Sequence, residues 1–421
     1  VNLLYVIVGL MLLVFVHELG HFVVARLVGA KATRFLVGFP PVILKARRGE
    51  TEYGIGAIPL GGYVRIVGMT RPQASDAAVC QDALEEAGLR RPAGQRDILG
   101  PAVALLRERL DGAGDDARVE ADRVLLALDA EQDLLHEKTY AETRRHVERL
   151  RDDLDRRAYW RLPVWRRIAI VAAGPAANVL AAIAILTVFF WQGVPVTTPT
   201  TTVATVSGAP AQEAGLLPGD EVVQVNGVAV GGAWERVTRE IQDSKGGEVA
   251  LVVRRDGADV ELAPVRPEAV EGQWRLGFSF ADRSDGTRSE PLPEAVGSAL
   301  SWSWFVTSAS VAGLADIVTT REGHQQVSSI VGITAAAEDS VDQGSFLWTM
   351  GVISLALAIF NLLPFLPLDG GHILIAVIEK LRRGRPLSRV VIERISVVGI
   401  ALVLVLFAIG LTNDIGRFGG P

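Results

Sequence analysis

The chain has 421 residues, 49% of them hydrophobic and 21% charged, with a mean hydropathy of +0.30 and a formal net charge of -6. That hydropathy is too high for an ordinary water-soluble protein and that charge too high for a bare membrane bundle, so several spans joined to water-exposed segments are implied. The negative balance argues against nucleic acid as a partner, and a single cysteine, Cys80, excludes an internal disulfide framework and a cysteine-built metal site.

The first element, residues 1–30, reads as a membrane span. From Leu3 to Ala30 the only charges are Glu18 and, near the end, Arg26. It lacks the basic leader and small-residue cleavage site of a signal peptide and is expected to be retained. The chain begins with Val1, and the sequence does not say where its true start lies. Residues 17–21 read His-Glu-Leu-Gly-His. On a helix this spacing puts His17 and His21 one turn apart on one face, the pattern that binds zinc, with Glu18 beside them to handle the proton of water. A pair of structural histidines is the plainer alternative, but each would need its own partner in a dry setting. Ionisable groups inside a span are costly and usually mark function.

Residues 31–70 alternate and are rich in glycine, which predicts short strands with tight turns rather than a span. A small membrane-associated sheet around Gly61 and Gly62 offers an edge to which an extended substrate can add as a strand; a cytoplasmic hairpin without a substrate role is the rival reading. Residues 71–160 change to Arg, Asp, Glu, Leu and Ala at helical spacing, a helical insertion on the cytoplasmic side. Residues 161–195 form the second span and carry Gly174-Pro175-Ala176-Ala177-Asn178. Residues 200–282 form a compact domain, with strands expected at Glu248–Arg254 and Val260–Ala263 and a helix over Trp234–Ser244. Its Ala214-Gly215-Leu216-Leu217-Pro218-Gly219-Asp220-Glu221 turn and following Val225-Asn226-Gly227 resemble a bacterial PDZ domain, which implies capture of a chain terminus or an extended segment.

Residues 290–322, with Trp302, Trp304 and Phe305, read either as an interfacial or re-entrant helix or as a further span. Residues 345–371 form the third span, with Asn361-Leu362-Leu363-Pro364-Phe365-Leu366-Pro367-Leu368-Asp369 at its end, and residues 388–412 the fourth. Basic residues cluster after the first span, before the second, and between the third and fourth, so those loops are expected in the cytoplasm and the PDZ-like domain outside. A catalytic zinc needs three protein ligands and one open position. Asp369, a carboxylate closing an apolar run broken by prolines, is the outstanding third donor. Spans one and three must then run the same way, which favours the interfacial reading of residues 290–322. His372 as a fourth ligand would close the site to water and is rejected.

HELGH, GPxxN, the PDZ-like domain and NLLPFLPLDGG together resemble the bacterial site-2 protease family, and within it the PDZ-containing regulators of sigma factors. The likeness covers nearly the whole chain except residues 71–157. It implies a polytopic α-helical membrane protein with four transmembrane helices, a small membrane-associated β-sheet and an extracytoplasmic PDZ domain, placed in the bacterial inner membrane. It assigns His17, His21 and Asp369 as ligands of Zn2+ and Glu18 as the base, with Asn361 positioning substrate or stabilising the oxyanion. Asn178 is a further substrate-site candidate. The implied substrates are single-span membrane proteins already trimmed outside, of the anti-sigma-factor type, and remnant signal peptides. A catalytically silent membrane PDZ scaffold is the rival from another class, and intact Glu18, His17, His21 and Asp369 weigh against it. A metal transporter predicts ionisable residues near the centres of spans two and four, where there are none.

Overall fold

The computed structural model describes residues 2–111, 116–270, 272–319 and 345–418. The chain divides into two compact units, Val1–Val188 with Leu292–Pro421, and Phe189–Pro291.

The first unit opens with helix α1 (Asn2–Leu27). It is followed by strands β1 (Ala32–Arg48) and β2 (Thr51–Ile66), joined at Gly49-Glu50 as an antiparallel ribbon with several register breaks. The expectation of short strands is thus corrected to two long ones, bent between Val37 and Val42, where the register against Gly56 and Ile58 breaks. The bends let Arg34–Val37 pair on one side with Gly62–Arg65 and on the other with Glu52–Ile55. Gly62–Arg65 therefore form an outer stretch of this sheet.

Within the first unit, residues 74–154 fold around a buried core that includes Cys80, Leu99, Leu106, Val124, Leu128 and Val147. A 3-10 turn (Ala74–Cys80) leads into helices α2 (Gln81–Arg90), α3 (Leu99–Asp111), α4 (Ala117–Ala130) and α5 (Glu137–Asp153). Main-chain bonds splice it to the sheet. Tyr159 N donates to Val67 O at 2.8 Å, Trp160 N to Gly68 O at 3.1 Å and Lys31 N to Arg157 O at 3.0 Å. The Lys31 ammonium adds an ion pair to Asp155 at 3.0 Å. Cys80 is fully buried among these helices, and burial pushes its thiol up to about 12. A thiol held protonated and covered is inert. Cys80 is expected to resist maleimide labelling in the folded protein and to react on denaturation; rapid native labelling would contradict this packing.

Helix α6 (Val164–Gln192) contains Pro175. The second unit begins at its end. Its sheet runs β10 (Phe278–Arg288), β3 (Val194–Val206), β4 (Glu221–Val225), β6 (Leu251–Arg255), β7 (Ala258–Glu261), with β5 (Val228–Ala229) on β4; β8 (Glu268–Val270) and β9 (Gln273–Arg275) form a separate hairpin. Asn226 and Gly227 both have positive φ, the turn an Asn-Gly hairpin requires. Helices α7 (Ala209–Glu213) and α8 (Trp234–Asp243) accompany the sheet, and α8 buries Val237 and Ile241 in the core with Val222, Val225, Leu251 and Val253. The expected strands are present but displaced by a few residues. Ahead of Leu251, Val249 pairs with Val265 as an isolated bridge, and Ala250 O accepts from Asn226 N at 2.8 Å.

The turn before β4 is locked by Asp220. Its buried carboxylate accepts from Arg255 Nε and Nη2, both at 2.7 Å, and from Leu217 N at 2.8 Å. The Arg255 guanidinium, ahead of the opposing effect of burial, holds this carboxyl below its usual range. A depressed carboxyl stabilises the fold above its unfolded pKa of about 3.9 and loses that contribution as pH falls through the lower folded value. Asp220→Asn is expected to cost the second unit about 1–3 kcal/mol and to flatten its acid dependence. Hydrogen exchange across residues 215–255 in the full chain measures both.

The first unit resumes with α9 (Leu292–Thr319), α10 (Phe346–Asn361), α11 (Asp369–Leu381) and α12 (Arg389–Phe418). Among the described residues three stretches are long and apolar enough to cross a membrane: Leu3–Leu27, Val164–Gln192 and Val390–Asn413. They match the first, second and fourth expected spans. The third differs. Its apolar helix α10 stops after 16 residues, about 24 Å at helical rise and short of a hydrocarbon core of about 30 Å. Pro364 and Pro367 lack amide hydrogens and prevent the helix from continuing, so residues 362–368 form a folded connection and a separate helix starts at Asp369. Residues 292–319 are one unbroken helix, packed on α10 with Trp302 edge-on to Trp348 at 4.9 Å between ring centroids. Residues 320–322 of the expected interfacial segment lie outside the described residues.

Candidate metal centre

His17 and His21 lie one turn apart on α1, and both are buried. Their Nε2 atoms are 3.2 Å apart. Asp369, the first residue of α11, brings Oδ2 to 3.1 Å from His17 Nε2 and 3.2 Å from His21 Nε2. A connection folded tightly onto the start of α11 holds it there: a Cβ on Gly370 would stand 2.1 Å from Leu362 O, and one on Gly371 2.5 Å from Leu366 N.

Three donors at the corners of a nearly equilateral triangle match a tetrahedral metal. Ligands about 2.0–2.1 Å from a tetrahedral zinc are about 3.3 Å from one another. The hydrogen bonding of the neutral rings also suits a cation. His21 Nδ1 lies 2.8 Å from Ile170 O, which can only accept, so the ring's hydrogen is on Nδ1 in the neutral form and Nε2 carries a lone pair. That lone pair points at a carboxylate oxygen, and Asp369 Oδ2 is buried without a hydrogen-bond partner among the described residues. Two acceptors face to face in a dry site repel unless a cation lies between them. The residues present therefore fit zinc. Among the described residues the cluster is His17, His21 and Asp369 only. His372 is outside it and lines a separate cavity of about 220 Å³ with Tyr159, Arg167 and Glu379.

Glu18 projects toward the outer stretch of the β-sheet. The Val64 main chain hydrogen bonds to its carboxyl, and a Cβ on Gly62 would stand 2.5 Å from Glu18 Cγ. Gly62 thus lets the strand close against the glutamate, and Gly61 sits beside it in the strand bend.

The second span supplies the other wall. Ile170, Gly174 and Asn178 recur every fourth residue on one face of α6, and all three meet the imidazoles. A Cβ on Gly174 would stand 2.3 Å from His21 Nε2 and 2.9 Å from His17 Cε1. Asn178, fully buried, places a side-chain amide atom 3.2 Å from His17 Nδ1. The structure thus sets Asn178, expected near substrate, behind a histidine. Asn361 ends α10 with Nδ2 donating to Leu357 O at 2.9 Å, so in this state its donor is committed to its own helix. Sequence reading missed Gly174, the Ile170 carbonyl and the Val64 main chain. The GPxxN spacing carried the first, since it puts Gly174 and Asn178 on one helical face; main-chain groups leave no trace in side-chain identity.

Comparison with known proteins agrees with this geometry. The profile of peptidase family M50 matches residues 5–406. The regulator of sigma-W protease RasP of Bacillus subtilis is 29% identical over 425 residues, which is 96% of each chain. A putative zinc metalloprotease of Brucella suis is 29% identical over 422 residues, covering 96% of this chain and 93% of the relative. Another of Staphylococcus aureus is 28% identical over 431 residues, again 96% of each chain. An HExxH helix apolar enough to cross a membrane, completed by a distant aspartate, and a family match over almost the whole length lead to one assignment: this chain belongs to peptidase family M50, as a membrane-embedded zinc metalloprotease of the site-2 type.

Proposed function

We propose that the protein hydrolyses peptide bonds within the membrane segments of single-span proteins already shortened outside, of the anti-sigma-factor type or remnant signal peptides. His17, His21 and Asp369 hold the zinc, and Glu18 is the base. The observation that carries the reading is the triangle of donors 3.1–3.2 Å apart, two on buried histidines and one on the half-buried Asp369, with Glu18 next to the first of them. Zinc, when bound there, polarises a water molecule and the peptide carbonyl. Glu18, fixed by Val64 and Gly62, takes a proton from that water as its oxygen bonds to the carbonyl carbon, and returns it to the amide nitrogen as the C–N bond breaks. An intact substrate helix hides its carbonyls in hydrogen bonds, so the segment must be extended. The outer stretch Gly62–Arg65, beside Glu18, is suited to receive it as an added strand. Asn361 joins the site by releasing Leu357 O and donating to the developing oxyanion.

The second unit acts as a PDZ domain on the extracytoplasmic side of a membrane crossed by α1, α6 and α12. Its support is the Asp220-locked turn, the Asn-Gly hairpin and a helix packed on an antiparallel sheet. It recognises a chain terminus or an extended segment and thereby selects trimmed substrates. The substrate class draws support from the name of the Bacillus subtilis relative, which ties that protein to the regulation of a sigma factor.

The test uses purified full-length protein in liposomes with two single-span reporters, one carrying a folded external domain and one lacking it. Cleavage of the short reporter only, abolished by a zinc chelator and restored by zinc, is expected. Cleavage that survives chelation overturns the zinc reading; equal cleavage of both reporters overturns the trimming requirement.

A further inference from the structure

Both zinc-facing histidines need their second ring nitrogen managed, and α6 does this in two different ways. His21 has a main-chain acceptor, Ile170 O at 2.8 Å. His17 has the Asn178 side chain, whose nitrogen is drawn 3.2 Å from Nδ1. With that assignment Asn178 Oδ1 is buried and accepts nothing among the described residues, and Nδ1 would have to be the bare acceptor. The ring's hydrogen would then be on Nε2, the atom 3.1 Å from Asp369 Oδ2 and pointing at the metal position. A hydrogen there is incompatible with ligation. The two atoms of a side-chain amide differ little in shape, and their assignment is decided by the hydrogen bonds each makes.

We infer that Asn178 presents its oxygen to His17, accepts from Nδ1–H, and so fixes the tautomer that leaves Nε2 free for zinc. Reversing the amide gives Oδ1 a partner and makes both histidines alike, each donating from Nδ1 to α6. Zinc-bound histidines are generally held this way by an outer acceptor, which sets ring orientation and raises basicity. Asn178 is itself anchored. It is wholly buried, and Ser354 of α10, also wholly buried, donates from Oγ to its main-chain oxygen at 2.8 Å. Three helices are tied in series: α10 holds the Asn178 backbone, the Asn178 side chain holds His17, and His17 faces the metal. Asn178 is a positioning residue and touches no reacting atom.

This inference rests on the zinc reading above, and its test separates the two. Full-length protein, Asn178→Leu and Asn178→Asp are purified in detergent, stripped of metal and titrated with zinc against a chromophoric chelator. Cobalt(II) absorption reports the ligand field independently. Asp keeps only acceptors at the site, whereas Leu keeps the volume and has none. Asn178→Leu is expected to bind zinc about 10–100-fold more weakly, with a shifted cobalt band, while Asn178→Asp stays within about threefold of the unaltered protein. An unaltered protein that binds no zinc overturns the zinc reading itself. Zinc bound by the unaltered protein together with unchanged affinity in Asn178→Leu, or with equal weakening in Asn178→Asp, overturns the role of Asn178 and leaves the zinc reading in place. Asn178→Asp also covers the case in which Leu prevents folding, because an amide needed only for packing would make Asp no better than Leu.

Discussion

Glu18→Gln is expected to lower cleavage about 10²–10⁴-fold, the range a positioned general base contributes, while the protein still binds one zinc per chain. Gln matches Glu in shape, so the close approach of Gly62 is preserved. Its amide oxygen can still accept from the Val64 main chain. What it lacks is the ability to take a proton from water. The three donors, His17, His21 and Asp369, do not include Glu18, so the affinity for zinc should scarcely change. Single-turnover cleavage of the short reporter, read beside metal content, checks both halves. A variant retaining a tenth or more of the activity would remove Glu18 from the role of base, and one that lost zinc would make it a ligand.

Gly174→Ala is expected to be nearly as damaging by an entirely different route. The added methyl would stand 2.3 Å from His21 Nε2 and 2.5 Å from His21 Cε1. The ring cannot turn aside without giving up Ile170 O, and moving α6 away instead draws Asn178 from His17. Metal sites tolerate displacements of only about 0.2 Å in ligand distance. The expected result is zinc affinity weakened about 100-fold or more, beyond the range seen on removing one outer partner, with activity lost in proportion. Zinc titration of the purified variant decides it. Near-normal affinity would show that α6 can stand farther from α1 than it does here, where the two helices touch at the backbone: a Cβ on Gly20 would stand 2.3 Å from Ala173 O.

Much of this site was legible in the sequence because its chemistry is written in side chains that are expensive in an apolar setting. His17, Glu18, His21 and Asp369 stand out for that reason, and the structure brings the three donors together across more than three hundred residues. What was not legible falls into two kinds. Main-chain contributors such as Ile170 O and the Val64 backbone have no side-chain signature. Gly174 and Gly62 matter through an absent Cβ, and among 43 glycines a sequence does not say which face a histidine or a glutamate. The break before Asp369 was legible in the prolines, and only the length of the third helix was overestimated, because hydropathy continues through Leu362–Leu368 while helix formation does not. Pro364 and Pro367 remove backbone donors without lowering the apolar signal. The long bent ribbon was read as short strands because its glycines and prolines resemble turns, and they serve as bends in strands that continue past them.

The splice between the sheet and the helical insertion has a consequence for how such a chain can change over time. The insertion departs after Gly68 and returns at Trp160, and those two residues are hydrogen-bonded neighbours 3.1 Å apart. Its entry and exit are side by side, and its apolar core is its own. Chain segments with adjacent ends are the ones domains tolerate gaining or losing. The insertion is therefore a cassette: a turn-length connector could replace it without redirecting the chain into the catalytic helices, so its size and surface are free to diverge while the metal centre stays as it is.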